Sequence, residues 1–566
     1  MYKALSYSWD AQTPSAPIGC DGATLCITQN CMDALRRLRS MDDLILWIDG
    51  ICIDQTSTAE RSAQVALMRD IYKLATEVIV WLGEEDEASK TAIQCLEDIA
   101  LMSVDKERME RCLPILLGSQ VKKEADDPIG PLFKRSWFSR MWTIQEVTLP
   151  EKDRVQILCG SILLPWLYLA IALDMLRVSD YRWGDWHSAM RLQAYLSGLL
   201  IEKREADLTA SKSVRNDNLL EILLYGREKK CTDPKDRIFA LFGIFQELDI
   251  TIPTPDYAEP LSRIFAAATV ACFTNGSSLE FFYHVPSDNR RAGLSSWAID
   301  WGDPAWTRTD CRATVTKKPF RASGSSSPKL NFSEPMLRIE VQGCVIDSVQ
   351  KVGQPLLAKS RQNSAMDERL VWDGLKMGAN DKWNLEDTAE DIYAAFKVFQ
   401  SWVDLMSSTR SQPNEDENSW HGLRDTLLEY HSSGEDSREI VELKSSFWPW
   451  YKAIKTLSAQ ATPSPTALQS FLALSTDSGS RFQYKIMANC QRKCLITTKE
   501  KTIGLVPDMV KVGDSIALLS GLHMPVILRP DDQGQYHYVC HAYIHGLMDG
   551  KAWEKRGSAV SGLWLA

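Results

Sequence analysis

No stretch of this chain is apolar for long enough to span a bilayer. The longest run, Ile162 to Leu173, is interrupted by Pro165 and ends at Asp174, short of the roughly 20 residues a spanning helix needs. Met1-Tyr2-Lys3 runs straight into the first strand-like segment, so no export signal is expected there. A glycine-rich G-x-x-x-x-G-K-[ST] loop, an H-E-x-x-H pair and a G-x-S-x-G elbow are all missing. Their absence argues against a P-loop nucleotide motor, a zinc protease and an α/β-hydrolase. Basic residues form no stripe with interleaved aromatics, and the net charge is −10, which argues against a general nucleic-acid binder. The 14 cysteines are scattered singly along the chain. In a large chain with no export signal they are expected to be reduced thiols, and a cytoplasmic location follows as the expectation.

What is present is the composition of a globular protein, 45% apolar and 24% charged. At 566 residues it is long enough for two to four domains. The first part alternates strands and helices. Lys3 to Ser8 reads as a strand, and Asn30 as the cap of a helix with Ala34, Leu35 and Leu38 on one face. Leu44 to Ile48 is the next strand and carries Asp49, Asp54 and Gln55 beyond its end. Ser57-Thr58-Ala59-Glu60 has capping-box spacing, and the helix it opens aligns Val65, Met68, Ile71, Tyr72 and Ala75. Glu77 to Leu82 is a third strand, Trp137 to Val147 a helix, and Arg154 to Cys159 strand-like. Such alternation implies a mostly parallel sheet with helices on its faces. In open sheets of that kind, ligands bind outside the carboxyl ends of the strands. Residues 167–316 read as mainly helical. Within them Asp233 is placed as an N-cap, Pro234 at the first helical position and Gly243 as a stop.

Residues 317–335 read as a linker or long loop, after the Ser/Pro/Lys-rich stretch Lys317 to Pro328. Leu337, Ile339 and Val341 then alternate with polar residues as in a half-buried strand. Residues 336–566 are expected to form a β-rich domain with a helical insertion at about 365–475. Disorder is expected around Ser407–Asn418 and Ser432–Ser437. His537, His541 and His545 recur every fourth residue. They lie in a strand-like segment, which would spread the first and third about 27 Å apart, so no metal site is expected.

Five segments, in this order, resemble the fungal heterokaryon-incompatibility (HET) domain family. They are Ala4 to Trp9, Leu46 to Gln55, Gln64 to Ala75, Val78 to Gly83, and Arg135 to Val147. The resemblance spans residues 1–166 and extends more loosely through Cys231–Gly243, Pro255-Asp256-Tyr257, Ser296-Trp297 and Gly504 to Gly550. Members usually carry Trp-Gly after the first strand; here it is Trp9-Asp10. They also usually have a segment ahead of that strand, so a shortened N-terminus is expected. The family implies non-self recognition between fungal strains, with programmed cell death as its output, and an incompatibility partner protein.

HET domains are in turn distantly similar to TIR domains, flavodoxin-like α/β modules of immune receptors. Some TIR domains cleave NAD with a glutamate in a Trp-Cys-x-x-Glu pattern, and Trp142-Thr143-Ile144-Gln145-Glu146 keeps that spacing. The expected fold is therefore a TIR-like parallel sheet, then a helical region and the β-rich domain with its insertion. Glu146 is the candidate catalytic group. Trp9, Asp10, Asp49, Asp54, Gln55 and Trp142 are candidates for holding NAD, here a substrate with no separate cofactor. A carboxylate near the ribose stabilises the oxocarbenium-like centre formed when the nicotinamide bond breaks, and self-association of HET domains would switch the reaction on. The alternative is a non-enzymatic assembly module that recruits partners. In it Glu146 pairs with Arg135 or Arg140, the aspartates cap helices and turns, and Trp9 is core packing.

Overall fold

The computed structural model describes residues 1–39, 44–103, 127–178, 186–209, 218–285, 291–303, 320–333, 338–357, 385–408, 420–430, 438–458, 479–556 and 559–566. The chain divides into two compact units, Met1–Ser277 with Trp301–Pro304, and Ser278–Asp300 with Ala305–Ala566. Among the described residues no helix is long and apolar enough to cross a membrane.

The first unit is built on a sheet of five described strands. In chain order the unit opens with β1 (Lys3–Tyr7), a hairpin of β2 (Ala16–Cys20) and β3 (Ala23–Ile27), α1 (Gln29–Leu38), β4 (Leu46–Trp47) and α2 (Asp49–Cys52). Then come α3 (Thr58–Leu74), β5 (Glu77–Trp81), α4 (Glu87–Met102), α5 (Gly130–Phe133), α6 (Thr143–Thr148), β6 (Val155–Cys159) and β7 (Ile162–Pro165). The strand order is β4-β1-β5-β6-β7, with the first four parallel and β7 antiparallel to β6. Strands β1, β4 and β5 thus end on one edge of one sheet, while the last position is filled by a hairpin return. Apolar residues cover both faces. Val78, Val80 and Ile157 pack with α3 and α4 residues such as Met68 and Ile93. Leu5, Tyr7, Ile79 and Trp81 pack with Ala34 and Leu38 of α1. A parallel strand covered on both sides reads as an unbroken apolar run, which is why β5 was legible.

Several boundaries differ from the sequence reading. Thr28, not Asn30, caps α1, accepting the Cys31 amide at 3.2 Å. The strand expected at Leu44–Ile48 shrinks to Leu46–Trp47, because Asp49 turns the chain at once into α2 by accepting the Gly50 amide at 2.6 Å. Ser57 does cap α3, but Glu60 reaches back to the Asp54 amide, one turn earlier than a capping box requires. The helix expected over Trp137–Val147 breaks in the middle. A 3₁₀ turn covers Ser136–Ser139, Arg140 is extended, and only then does α6 begin. Asp10 takes a positive φ of 49°, a conformation that glycine adopts freely and aspartate tolerates. This accounts for the Trp9-Asp10 departure on the residue's own backbone.

The helical stretch continues with α7 (Trp166–Val178), α8 (Trp186–Thr209), α9 (Asn218–Gly226), α10 (Asp236–Phe239), α11 (Phe242–Glu247) and α12 (Leu261–Gly276). Asp233 accepts the Lys235 amide, one turn before the helix proper, whose cap position is Lys235. Gly243 does not stop a helix; it lies inside α11. A Cβ there would stand 2.8 Å from the Arg69 Cβ and 3.0 Å from the Gln145 Oε1. The glycine is a close-approach residue.

In the second unit, Phe320 and Ala322 are buried in a packed loop that donates the Arg321 amide to the Met548 carbonyl at 2.9 Å. Strand β8 (Leu330–Phe332) pairs with the long β9 (Ile339–Val352). Among the described residues four helices follow, α13 (Leu385–Ser407), α14 (His421–Leu427), α15 (Arg438–Ser458) and α16 (Gly479–Cys490). The strands then resume as β10 (Lys493–Thr498), β11 (Ile503–Pro507), β12 (Ser515–Leu519), β13 (Val526–Pro530), β14 (Tyr536–His541), β15 (Tyr543–Ile544) and β16 (Ser561–Leu565), with α17 (Lys551–Lys555) before the last. The pairings β9–β12–β13–β14–β16 return to β9, so five strands close a ring, and β10 and β11 extend it. His537 and His541 lie in β14. Among the described residues, no group of three or more His, Cys, Asp or Glu side chains is placed to hold a metal. Most of both segments expected to be disordered falls outside the described residues.

Candidate functional site

At the carboxyl end of β1, polar and charged groups are packed against the core of the first unit. Ser6 is 1% exposed, between the buried Leu5 and Tyr7 of β1. Its hydroxyl donates to the Glu146 carboxylate and accepts the Trp137 indole N–H at 2.8 Å. Glu146 lies in α6, where all six side chains are buried, and is itself 2% exposed. The Arg140 guanidinium donates to the Tyr7 carbonyl. Burial pushes the Glu146 carboxyl up to about 7, against the pull of Arg140 and the Ser6 hydrogen bond; Asp49 adds to the rise.

Asp49 completes the cluster. Its carboxylate accepts the Gly50 amide and the Trp9 indole N–H, the latter at 3.2 Å. Its carboxyl is raised by burial, while Arg140 lowers it. Two acids therefore lie in the field of one guanidinium, an arrangement that cannot hold both charges cheaply away from water. Tyr72 faces the same field, raised by its own burial and then by Glu146 and Asp49. A buried acid raised toward neutrality in the field of a cation suits proton transfer or stabilisation of positive charge. It equally suits an internal polar network.

The candidate residues divide accordingly. Glu146 and Asp49 share the cluster; Trp9 bonds Asp49, and the Gln55 amide donates to the Asp49 carbonyl at 3.1 Å. Asp10 sits at the exposed rim and accepts the Ser8 hydroxyl at 2.6 Å. Asp54 is exposed and closes a turn on Thr56, whose hydroxyl and amide hydrogen bonds hold its carboxyl low. Trp142 points elsewhere and donates to Asp236 at 3.0 Å. Arg135, expected as one alternative partner of Glu146, instead donates to the Leu82 and Glu84 carbonyls and pairs with Asp86. Arg140 is the cation that acts on Glu146.

Ser6, Tyr7, Asn30 and Trp137 were not singled out as site residues from sequence. Asn30 donates to the Ser8 carbonyl at 2.6 Å and accepts the Trp81 indole N–H at 2.9 Å. It bridges the ends of β1 and β5, the two strands between which the strand order reverses. The available signal was a polar residue, Ser6, within the otherwise apolar run Ala4–Tyr7.

Comparison with known proteins bears on both units. Residues 2–146 match the family described as heterokaryon incompatibility protein (HET). Residues 424–558 match the Het-6 beta-barrel domain family. The chain is also similar to heterokaryon incompatibility protein 6, OR allele, of Neurospora crassa, at 23% identity covering 97% of this chain and 89% of that protein. No solved structure matches significantly.

Proposed function

We propose that this chain, a fungal HET-domain protein, is an effector of heterokaryon incompatibility whose N-terminal sheet carries the output activity. The setting is the cytoplasm, and the output is cell death after recognition of non-self. The reaction we assign is cleavage of NAD at the nicotinamide–ribose bond, with water taking up the ribosyl carbon. It is carried by a single observation: Glu146, a buried carboxyl raised to about 7, is bonded to Ser6 and lies in the field of Arg140 at the carboxyl edge of four parallel strands. Their order, second-first-third-fourth, is that of a flavodoxin-like sheet, which supports the TIR-like reading.

In that scheme ionised Glu146 faces the oxocarbenium-like ribose. Trp9 supplies an aromatic face, and Asp49 and Asp10 accept sugar hydroxyls. Gln55 and Asp54 border the same edge. Trp142 is left out of contact with substrate, since its indole is bonded to Asp236. Association of HET domains, or docking of an incompatibility partner, opens the cluster to substrate.

One observation favours a second reading, in which the domain is a non-enzymatic assembly module. Glu146 is 2% exposed and already hydrogen-bonded to Ser6, the state of a structural acid. The deciding experiment measures NAD turnover by the purified full chain, at low and high concentration, for wild type and Glu146→Gln. Removing a charge-stabilising group costs ~10²–10³ in rate. Equal turnover in a folded variant, or none in concentrated wild type, leaves the assembly module.

A further inference from the structure

The backbone that carries Arg140 is not held by the sheet alone. Lys230 donates its amide to the Ser139 carbonyl at 2.6 Å, and the Met141 amide donates to the Lys230 carbonyl at 2.9 Å. These two bonds clamp Arg140 from both sides in an isolated parallel bridge. Lys229 is 3% exposed, and its ammonium donates to the Phe138 carbonyl at 2.8 Å and to the Ala189 carbonyl. Arg237 gathers the Gly226, Arg227 and Lys229 carbonyls and so fixes the loop that presents Lys229 and Lys230. On the far side of Arg140, the Trp142 indole donates to Asp236, whose other oxygen accepts the Tyr257 hydroxyl. Arg61 covers the Tyr257 ring at 4.0 Å and ties this end to α3.

Extended Arg140 between a 3₁₀ turn and α6 is thus a conformation imposed from residues 226–257. That segment lies outside the 2–146 match to the HET family. An extended residue between two helical turns leaves backbone groups without helical partners, and such groups need partners when buried. Lys229 and Lys230 supply them. Burial holds the Lys229 ammonium down to about 7, a strain that the two carbonyl acceptors offset.

We infer that residues 226–257 form a clasp that completes the Glu146 site, with Lys229 and Asp236 as positioning residues. They set the backbone from Phe138 to Trp142 and with it the register of Arg140 against Glu146 and Tyr7. A HET domain cut off near residue 166 would lack the register that makes the site. The inference rests on the reading of Glu146 as the centre of the site, but not on the reaction assigned to it.

The test uses the full chain as Lys229→Met and Asp236→Asn, with Trp142→Phe as a milder third variant that removes one tether. The readout is infrared titration of the Glu146 carboxyl, with Glu146→Gln subtracted. The groups acting on that carboxyl are Arg140, Asp49 from α2, and the Ser6 hydroxyl from β1; Tyr72 from α3 shares the field. Of these Arg140 is the cation. Displacing it is expected to raise the midpoint from about 7 by about one pH unit, with far-UV circular dichroism unchanged. A residue that merely stabilises the fold would lower the melting temperature and leave that midpoint alone. An unchanged midpoint in folded Lys229→Met and Asp236→Asn overturns the clasp; if either fails to fold, an unchanged midpoint in Trp142→Phe does so. Absence of NAD turnover in wild type removes the reaction and leaves this result standing.

Discussion

Glu146 accepts the hydroxyl proton of Ser6, a bond between residues 140 positions apart in the chain. It fixes α6 against the middle of the sheet, because Ser6 lies on a strand paired on both sides. The same hydroxyl oxygen takes the Trp137 indole N–H. One small side chain therefore satisfies two buried groups that arrive from either side of Arg140.

Ser6→Ala removes that shared partner and leaves an indole N–H and a carboxyl unpaired. An orphaned buried group costs roughly 1–3 kcal/mol, so a loss of about 2–4 kcal/mol is expected. Urea unfolding of the full chain measures it. A change below about 1 kcal/mol would mean that water enters the cluster and replaces the hydroxyl.

Glu146→Gln has an effect on stability whose sign depends on pH. The folded-state value, about 7, lies above the ordinary 4.5. Between the two, the folded protein keeps a proton that the unfolded chain releases, so stability falls as pH rises. The slope is at most about 1.4 kcal/mol per pH unit, roughly 3 kcal/mol over the window, and flat above it. Glutamine stays neutral and still accepts the Ser6 hydroxyl. The variant should melt close to wild type at pH 5 and above it at pH 8. A lower melting temperature at pH 8 would show that the ionised carboxylate is the stabilising form.

The sheet was legible because parallel strands buried on both faces are mostly apolar, and the runs Val78–Trp81 and Ile157–Cys159 are. Elements decided by distant partners were not legible. Arg140 breaks an otherwise helical run because Lys230, 90 positions on, bonds the residues beside it. Gly243 resembled a helix stop because its true constraint, the approach of Arg69 and Gln145, lies in other elements. Glu146 and Asp49 were legible as acids at strand and helix ends. That both lie in the field of Arg140, and that Trp142 turns away to Asp236, is tertiary information. Ser6 was hidden because a serine in a strand has no pattern of its own.

Two glycine substitutions should have opposite signs. In Gly243→Ala the new methyl meets the Arg69 Cβ at 2.8 Å, which is too close without a backbone shift, and overpacking of this kind costs about 1–3 kcal/mol. Gly198 lies in α8 with nothing within 4 Å of its added carbon. There alanine removes the helix penalty of glycine and should stabilise by roughly 0.5–1 kcal/mol. Thermal unfolding of both variants checks the pair, and destabilisation of both would contradict the packing around α8.

In the second unit, Asp514 fixes the closed ring of strands where β12 begins. Its two oxygens each accept from Arg529, both at 2.8 Å, and one also accepts the Lys511 amide at 2.8 Å. The carboxylate is 3% exposed and the guanidinium 35%, so one partner is desolvated and the other still partly hydrated. Breaking a fully buried pair costs 3–5 kcal/mol and an exposed one less than 1. Asp514→Asn should therefore cost about 2–3 kcal/mol, since the amide turns an N–H toward Arg529. Arg529→Lys keeps the charge but loses the two-pronged geometry, and it should cost less than Asp514→Asn. Both costs should diminish only slightly in 0.5 M salt, because the carboxylate is shielded from solvent ions. Calorimetric unfolding at low and high salt decides the matter. A loss that salt abolishes would place the pair among ordinary surface ion pairs and remove Asp514 as the anchor of the ring.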